Sequence, residues 1–190
     1  MSSISFTNSE LAAAAARGVR QCVVMGWPPS LREALKSSMD RILQVFALDE
    51  ERPPVSPVPF VTNQFAAESL ATTLEKSNFD KRKASVFVWL GDAGYRTADA
   101  VLAALAFIAS LPTGSGVVFD YTVERTSLGT FTHSALDALA SRISFAGSVK
   151  YFIQPQAVAA MLRGLGFQQI VDLAQQEFPI NGTHLVSAVV

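Results

Sequence analysis

The 190-residue sequence predicts an α/β domain built on a mostly parallel sheet. Three observations predict it: strand-like and helix-like segments alternate along the chain, strand segments near residues 22 and 85 are continuous apolar runs, and a short connection joins the last two strands. Alternation is the pattern of parallel strands joined by crossover helices. A continuous apolar run is what a strand covered on both faces requires. The short final connection favours an antiparallel hairpin.

Taken in order, residues 10–17 are alanine-rich and predict the first helix, with Thr7 and Glu10 spaced as a capping box and Gly18 as the stop. Cys22-Val23-Val24-Met25 is the first strand and residues 26–29 a turn. Ser30 and Glu33 form a second capping box for a helix over 30–39. Residues 42–48 are the second strand, stopping at Asp49-Glu50; Pro53, Pro54, Pro57 and Pro59 exclude regular structure from the loop beyond. Residues 60–63 read as a third strand, 66–76 as a helix and 85–90 as a fourth, strongly apolar strand. Thr97 caps a helix with Val101, Leu102, Leu105, Phe107, Ile108 and Leu111 around most of its circumference, before Pro112 and Gly114 break it.

Residues 116–121 form the fifth strand, and 134–145 a helix with Leu136, Leu139 and Ile143 on one face. Pro155 opens and Gly166 closes a helix over 155–165. Residues 169–173 and 184–190 are the last strands, with Pro179, Asn181 and Gly182 between them. No repeat or interdomain linker interrupts the pattern, so residues 1–190 read as a single domain.

Composition narrows the function. Hydrophobic residues make up 49% of the chain and charged ones only 16%, which is globular rather than disordered. A net charge of −1, with Lys81-Arg82-Lys83 as the densest basic cluster, predicts no nucleic-acid partner. The apolar stretch 98–111 is too short to span a bilayer and contains Asp99, so no membrane role is expected. With one cysteine, Cys22, no internal disulfide forms; together with residues 1–10, which lack a signal-peptide pattern, this predicts a cytoplasmic protein. Cys22 itself, inside a strand, reads as a buried inert thiol. A mean hydropathy of +0.29 is high for so small a domain: an apolar face is covered by a second copy, as in a dimer or other homo-oligomer, or by a partner, or it stays exposed, and self-association is the expectation.

Several chemistries find no support. No G-x-G-x-x-G follows the first strand and no G-x-S-x-G elbow is present. His133 and His184 are the only histidines and no acids can be placed beside them, so no metal is expected. Asn181-Gly182-Thr183 matches a glycosylation sequon and reads as a turn.

A doubly wound sheet binds ligands beyond the carboxyl ends of its strands, which draws attention to residues 26–30, 49–50, 63–65, 90–95 and 120–122. A carboxylate ending the second strand, Asp49, is placed to accept hydrogen bonds from both ribose hydroxyls of an adenosine cofactor, or else is a solvated acid opening a loop.

The runs Arg20-Gln21-Cys22-Val23-Val24-Met25-Gly26 and Val45-Phe46-Ala47-Leu48-Asp49 resemble the first two cofactor motifs of the leucine carboxyl methyltransferase-like family. The similarity continues through residues 60–65, Phe79-Asp80, Phe87-Val88-Trp89-Leu90-Gly91, Tyr95 and Thr97, residues 107–112 with Gly114, Val117-Val118-Phe119-Asp120-Tyr121, Phe152 with Pro155, Leu162 with Gly166-Phe167, and His184-Leu185-Val186. It is collinear from about Ala14 to Val190. This resemblance implies a Rossmann-like methyltransferase fold, with a mostly parallel seven-stranded sheet and a C-terminal antiparallel strand. It also implies S-adenosyl-L-methionine as cofactor and a small-molecule acceptor. By position, Gly26 would lie under the cofactor, Asp49 with neighbouring Glu50 would hold the ribose, and Gln64 and Phe65 would flank the adenine. Trp89 and Leu90 would sit near the methionine moiety, or serve as core residues of a central strand.

The family usually has an acid where Gln64 stands, though an amide oxygen can still bond adenine, and the chain departs from that family more deeply in two places. Where the first motif continues with a second glycine and an aspartate, this sequence has Trp27-Pro28-Pro29-Ser30, which removes two N–H donors and adds bulk. The family carries a substantial helical segment before the first strand, whereas only about twenty residues precede Cys22 here. Two readings therefore stand: an O-methyltransferase acting on a carboxylate or hydroxyl, and a non-catalytic relative acting as a dimeric or partner-binding module. Methyl transfer to an ionised carboxylate needs no general base, so the lack of an obvious one favours neither.

Overall fold

The computed structural model describes residues 3–26, 44–49, 60–62, 70–91, 98–123, 154–174 and 182–190. In chain order its elements are α1 (Ser3–Ala16), β1 (Gln21–Met25), β2 (Gln44–Asp49), β3 (Phe60–Thr62), α2 (Leu70–Glu75), β4 (Ser85–Trp89), α3 (Ala98–Ala109), β5 (Gly116–Val123), α4 (Pro155–Leu165), β6 (Gln169–Ala174) and β7 (Gly182–Val189). All seven strands join one sheet in the order β3-β2-β1-β4-β5-β7-β6. β1 pairs in parallel with β2 and β4, β2 with β3, and β4 with β5. Only β7 runs against the others; it enters between β5 and β6, antiparallel to both. The hairpin and the seven-stranded, mostly parallel sheet agree with the sequence reading.

Every residue of β1 and β4 is buried, because both faces of the sheet are covered. Alternate side chains supply two cores. On one face Val23, Met25, Phe87 and Trp89 join Leu74 of α2, Leu105 and Ile108 of α3, and Leu162 of α4. On the other, Cys22, Val24, Val86 and Val88 meet Phe6, Leu11 and Ala14 of α1. Among the described residues the exposed large hydrophobics are Ile4 and Val171. No described helix is long and apolar enough to cross a membrane.

The first helix starts earlier than expected. Thr7 Oγ1 donates to the Ser3 carbonyl at 2.8 Å, four residues back, so Thr7 lies inside the helix. Glu10 accepts instead from Ser187 Oγ of β7 at 2.6 Å, tying α1 to the sheet. The pair has capping-box spacing, but both side chains are engaged elsewhere. The stop at Gly18 holds: the Gly18 N–H bonds the Ala15 carbonyl and the Val19 N–H the Ala14 carbonyl. α4 closes in the same way at Gly166, whose φ of 110° is one that glycine adopts without steric cost. There the capping bonds bring Phe167 back toward Leu162, both of them in the core.

β5 extends to Val123, beyond the expected end at residue 121, because β7 pairs with it continuously from Gly116↔Val189 to Val123↔Gly182. That pairing is tightest at its start. A Cβ on Gly116 would stand 2.6 Å from the Ala188 carbonyl oxygen and 3.2 Å from Val189 Cγ2. Gly116→Ala is therefore expected to lower stability by about 1–3 kcal/mol, read as a lower urea midpoint with an unchanged slope. The expected helices over 30–39 and 134–145, the proline loop 53–59 and the Thr97 cap lie outside the described residues.

Candidate functional site

The sheet order reverses at β1. From β1 the chain adds β2 and then β3 on one side, and β4 with β5 on the other, so the crevice above β1 and β4 is the switch point where such sheets bind ligands. Register fixes what stands there. Met25 pairs with Leu48 and with Trp89, so the next residue on each of three adjacent strands, Gly26, Asp49 and Leu90, comes to the same level of the carboxyl edge. Asp49 in turn pairs with Thr62 at the end of β3. Neighbouring strands are roughly 4.8 Å apart, so these positions span about the width of a nucleoside.

Gly26 leaves β1 with φ of 66°, a left-handed turn that brings backbone rather than side chain to the edge. On β4, Leu90 is 9% exposed and Trp89 has no exposed surface; the indole lies in the core with Met25, Phe87 and Phe119. Gly91 then turns the chain, and its N–H donates to Asp120 Oδ1 of β5 at 2.8 Å. Sequence had marked Asp120 as an edge position without giving it this work. The structure thus brings Gly26, Asp49 and Leu90 together and sets Trp89 beneath them. Glu50, Gln64 and Phe65 lie outside the described residues, as do Trp27, Pro28 and Pro29.

A second polar group stands on the same edge, and of its members only Tyr121, within residues 120–122, lay among the positions expected at the ligand edge. Tyr121 of β5 donates its hydroxyl hydrogen to Asp172 Oδ2 of β6. His184 of β7 lies with Nδ1 at 2.6 Å from Asp172 Oδ1 and 3.4 Å from the Tyr121 oxygen. Burial, reinforced by the Asp172 hydrogen bond and charge, pushes the Tyr121 phenol well above its ordinary pKa, so it stays protonated. The partners are 51 and 12 residues apart in the chain, a separation no local motif records.

Elsewhere the chemistry is quiet. Cys22 is fully buried, and burial pushes its thiol up to about 12, the inert state expected from its strand position. Among the described residues no three His, Cys, Asp or Glu side chains are grouped to hold a metal ion. An open groove of about 250 Å³ between α2 and Phe107 is lined by Phe79, Asp80 and Arg82, which precede β4, so it lies at the opposite edge of the sheet. There a hydrogen bond from Arg82 holds Asp80 down at about 2.

No family model matches the chain, and no curated protein matches it. Solved structures do. The Burkholderia thailandensis 1,6-didemethyltoxoflavin-N1-methyltransferase, with bound 1,6-didemethyltoxoflavin and S-adenosylhomocysteine, is 14% identical with a TM-score of 0.61, over 99% of this chain and 78% of that one. The N-terminal domain of EvdMO1, in the presence of SAH and D-fucose, is 13% identical with a TM-score of 0.60, over 96% and 82%. SibL, an S-adenosylmethionine-dependent methyltransferase in its apo form, is 15% identical with a TM-score of 0.54, over 97% of this chain and 55% of SibL. The chain thus spans little more than half the length of SibL. At such identities the likeness establishes the fold: this is a Rossmann-like methyltransferase fold.

Proposed function

We propose that the chain is an S-adenosyl-L-methionine-dependent methyltransferase that modifies an oxygen, carboxylate or hydroxyl, of a small molecule. The observation that carries the reading is the register that sets Gly26, Asp49 and Leu90 side by side at the switch point. The described backbone fits such a cofactor. Gly26 offers close approach, and Asp49 ends the strand where a carboxylate can accept from two ribose hydroxyls. In this reading Glu50 lies beside the ribose, Gln64 and Phe65 flank the adenine, and Leu90 meets the methionine moiety with Trp89 as floor. S-adenosylmethionine, when bound, supplies a methyl group activated by its sulfonium, whose carbon–sulfur electron pair stays on sulfur. The chain's own task is then alignment of acceptor and donor, which supplies most of the rate.

Membership of the leucine carboxyl methyltransferase-like family, a cytoplasmic setting and self-association belong to the same proposal. They rest on the collinear sequence resemblance, the lone buried thiol and the mean hydropathy of +0.29, respectively. A second reading, a non-catalytic binding module, is favoured by one observation: Trp27-Pro28-Pro29 stands where a glycine turn would offer N–H donors.

Asp49→Ala separates the two. Losing a charged acceptor shared by two hydroxyls is expected to weaken S-adenosylhomocysteine binding by about 1.5–3 kcal/mol, or roughly 10–100-fold, in equilibrium dialysis. Equal affinity of the variant and the wild type would remove Asp49 from the site.

A further inference from the structure

The three polar side chains of the second group reach one point from three strands. Tyr121 lies directly opposite His184 in the β5–β7 register, and Asp172 lies opposite Val186, two residues further along β7 on the same face. Each is two residues inside the carboxyl edge: Tyr121 from the end of β5 at Val123, Asp172 from the end of β6 at Ala174, and His184 from the start of β7 at Gly182. Trp89 pairs with Phe119, so the same register carried on brings Gly91 level with Tyr121 and hence with His184. His184 is two strands from β4, roughly 10 Å across the sheet. A small acceptor seated beside the switch point would bridge that distance.

The arrangement orients an imidazole. In the neutral ring, the Nδ1 hydrogen is taken by Asp172 Oδ1 at 2.6 Å, which leaves the lone pair on Nε2. The other carboxylate oxygen accepts from Tyr121, so Asp172 is fixed from both sides. Among the described residues Nε2 has no hydrogen-bond partner, and the His184 side chain keeps 18% of its surface exposed. Asp172 from β6 and Tyr121 from β5 are the titratable groups of the described residues that bond the ring. A partly exposed imidazole near the carboxyl edge stands on the side of the sheet where such folds meet their ligands.

We propose that His184 is the general base of methyl transfer to a hydroxyl acceptor, with Asp172 and Tyr121 as positioning residues; the proposal rests on the methyltransferase reading. The acceptor's O–H bond breaks, its electron pair becomes the new oxygen–carbon bond, and its proton goes to Nε2. A carboxylate acceptor is ionised already and has no proton to give, so a built base selects alcohols and phenols.

The first readout needs no turnover. Nitrogen-15 NMR of the wild type observes two histidines, His133 and His184, assigned with His133→Gln. The neutral His184 ring is expected as the Nδ1–H tautomer, and Asp172→Asn is expected to lose that preference. The second readout follows labelled methyl transfer from S-adenosylmethionine to matched panels of phenols, aliphatic alcohols and benzoates. Phenols or alcohols are expected to accept. His184→Gln is expected to lower kcat about 10²–10⁴-fold and abolish the acid limb of the pH profile while binding S-adenosylhomocysteine like the wild type.

An Nε2–H tautomer in the wild type overturns the proposal. So does methylation of benzoates alone, of no panel by a protein that binds S-adenosylhomocysteine, or of phenols at an undiminished rate by His184→Gln. Should that variant not fold, the tautomer and Asp172→Asn decide. A wild type that fails to bind S-adenosylhomocysteine removes the methyltransferase reading itself, whatever the tautomer.

Discussion

Trp89→Ala is expected to cost about 3–5 kcal/mol of folding free energy, a large share of the roughly 5–15 kcal/mol that holds a domain together. The indole has no exposed surface and lies mid-sheet, where β4 pairs with both β1 and β5. The helices and sheet around it cannot close the space it leaves, so lost burial and a residual cavity add. Urea unfolding should show a much lower midpoint at similar slope. A loss under about 1 kcal/mol would mean that the indole is not core. The result also bears on the site: a tryptophan acting as ligand surface would show its loss chiefly in cofactor affinity, whereas one acting as floor shows it in stability.

Alkaline pH should produce a change of similar size through Cys22. Burial raises its thiol from an ordinary value of 9.0 to about 12, so the folded chain keeps a proton that the unfolded chain releases above pH 9. The unfolded state then binds fewer protons, and stability falls as pH rises. The contribution is fully present below pH 9 and declines by about 1.4 kcal/mol per pH unit until about pH 12, on the order of 4 kcal/mol in all. Cys22→Ala should remove that slope between pH 9 and 10. Above about pH 10 a further decline belongs to Tyr121, whose phenol is also held protonated, and persists in the variant. Urea midpoints from pH 7 to 11 read both; an unchanged slope in Cys22→Ala would contradict the assignment.

The sequence disclosed those parts of the fold that local pattern controls. Cys22–Met25 and Val86–Leu90 were legible as central strands because burial on both faces leaves these runs apolar. α4 was legible to the residue because Pro155 and Gly166 bound it chemically. The start of α1 was not, because Thr7 and Glu10 match a capping box by spacing while one bonds Ser3 and the other bonds Ser187, 177 residues away. The eight-residue length of β5 was hidden for a similar reason: its last residues are strand only because β7 lies beside them.

The candidate site divides the same way. Gly26, Asp49 and Leu90 follow apolar runs and could be placed at strand ends from sequence, and pairing brings them level. Tyr121, Asp172 and His184 each looked like an isolated polar residue in an apolar strand. Asp172 and His184 lie diagonally across the β6–β7 pair, and Tyr121 joins only through the non-local β5–β7 pairing. The available signal was that all three sit near the ends of strands at the ligand edge.

Isothermal titration of the wild-type chain with S-adenosylhomocysteine decides whether the carboxyl edge above Gly26 and Asp49 holds an adenosyl cofactor. Saturable binding of one molecule per chain with micromolar affinity is expected, accompanied by about 2.7 kcal/mol of added stability at a ligand concentration near a hundred times Kd. No heat and no stabilisation, from a chain shown to be folded by its circular dichroism and cooperative melt, would contradict it.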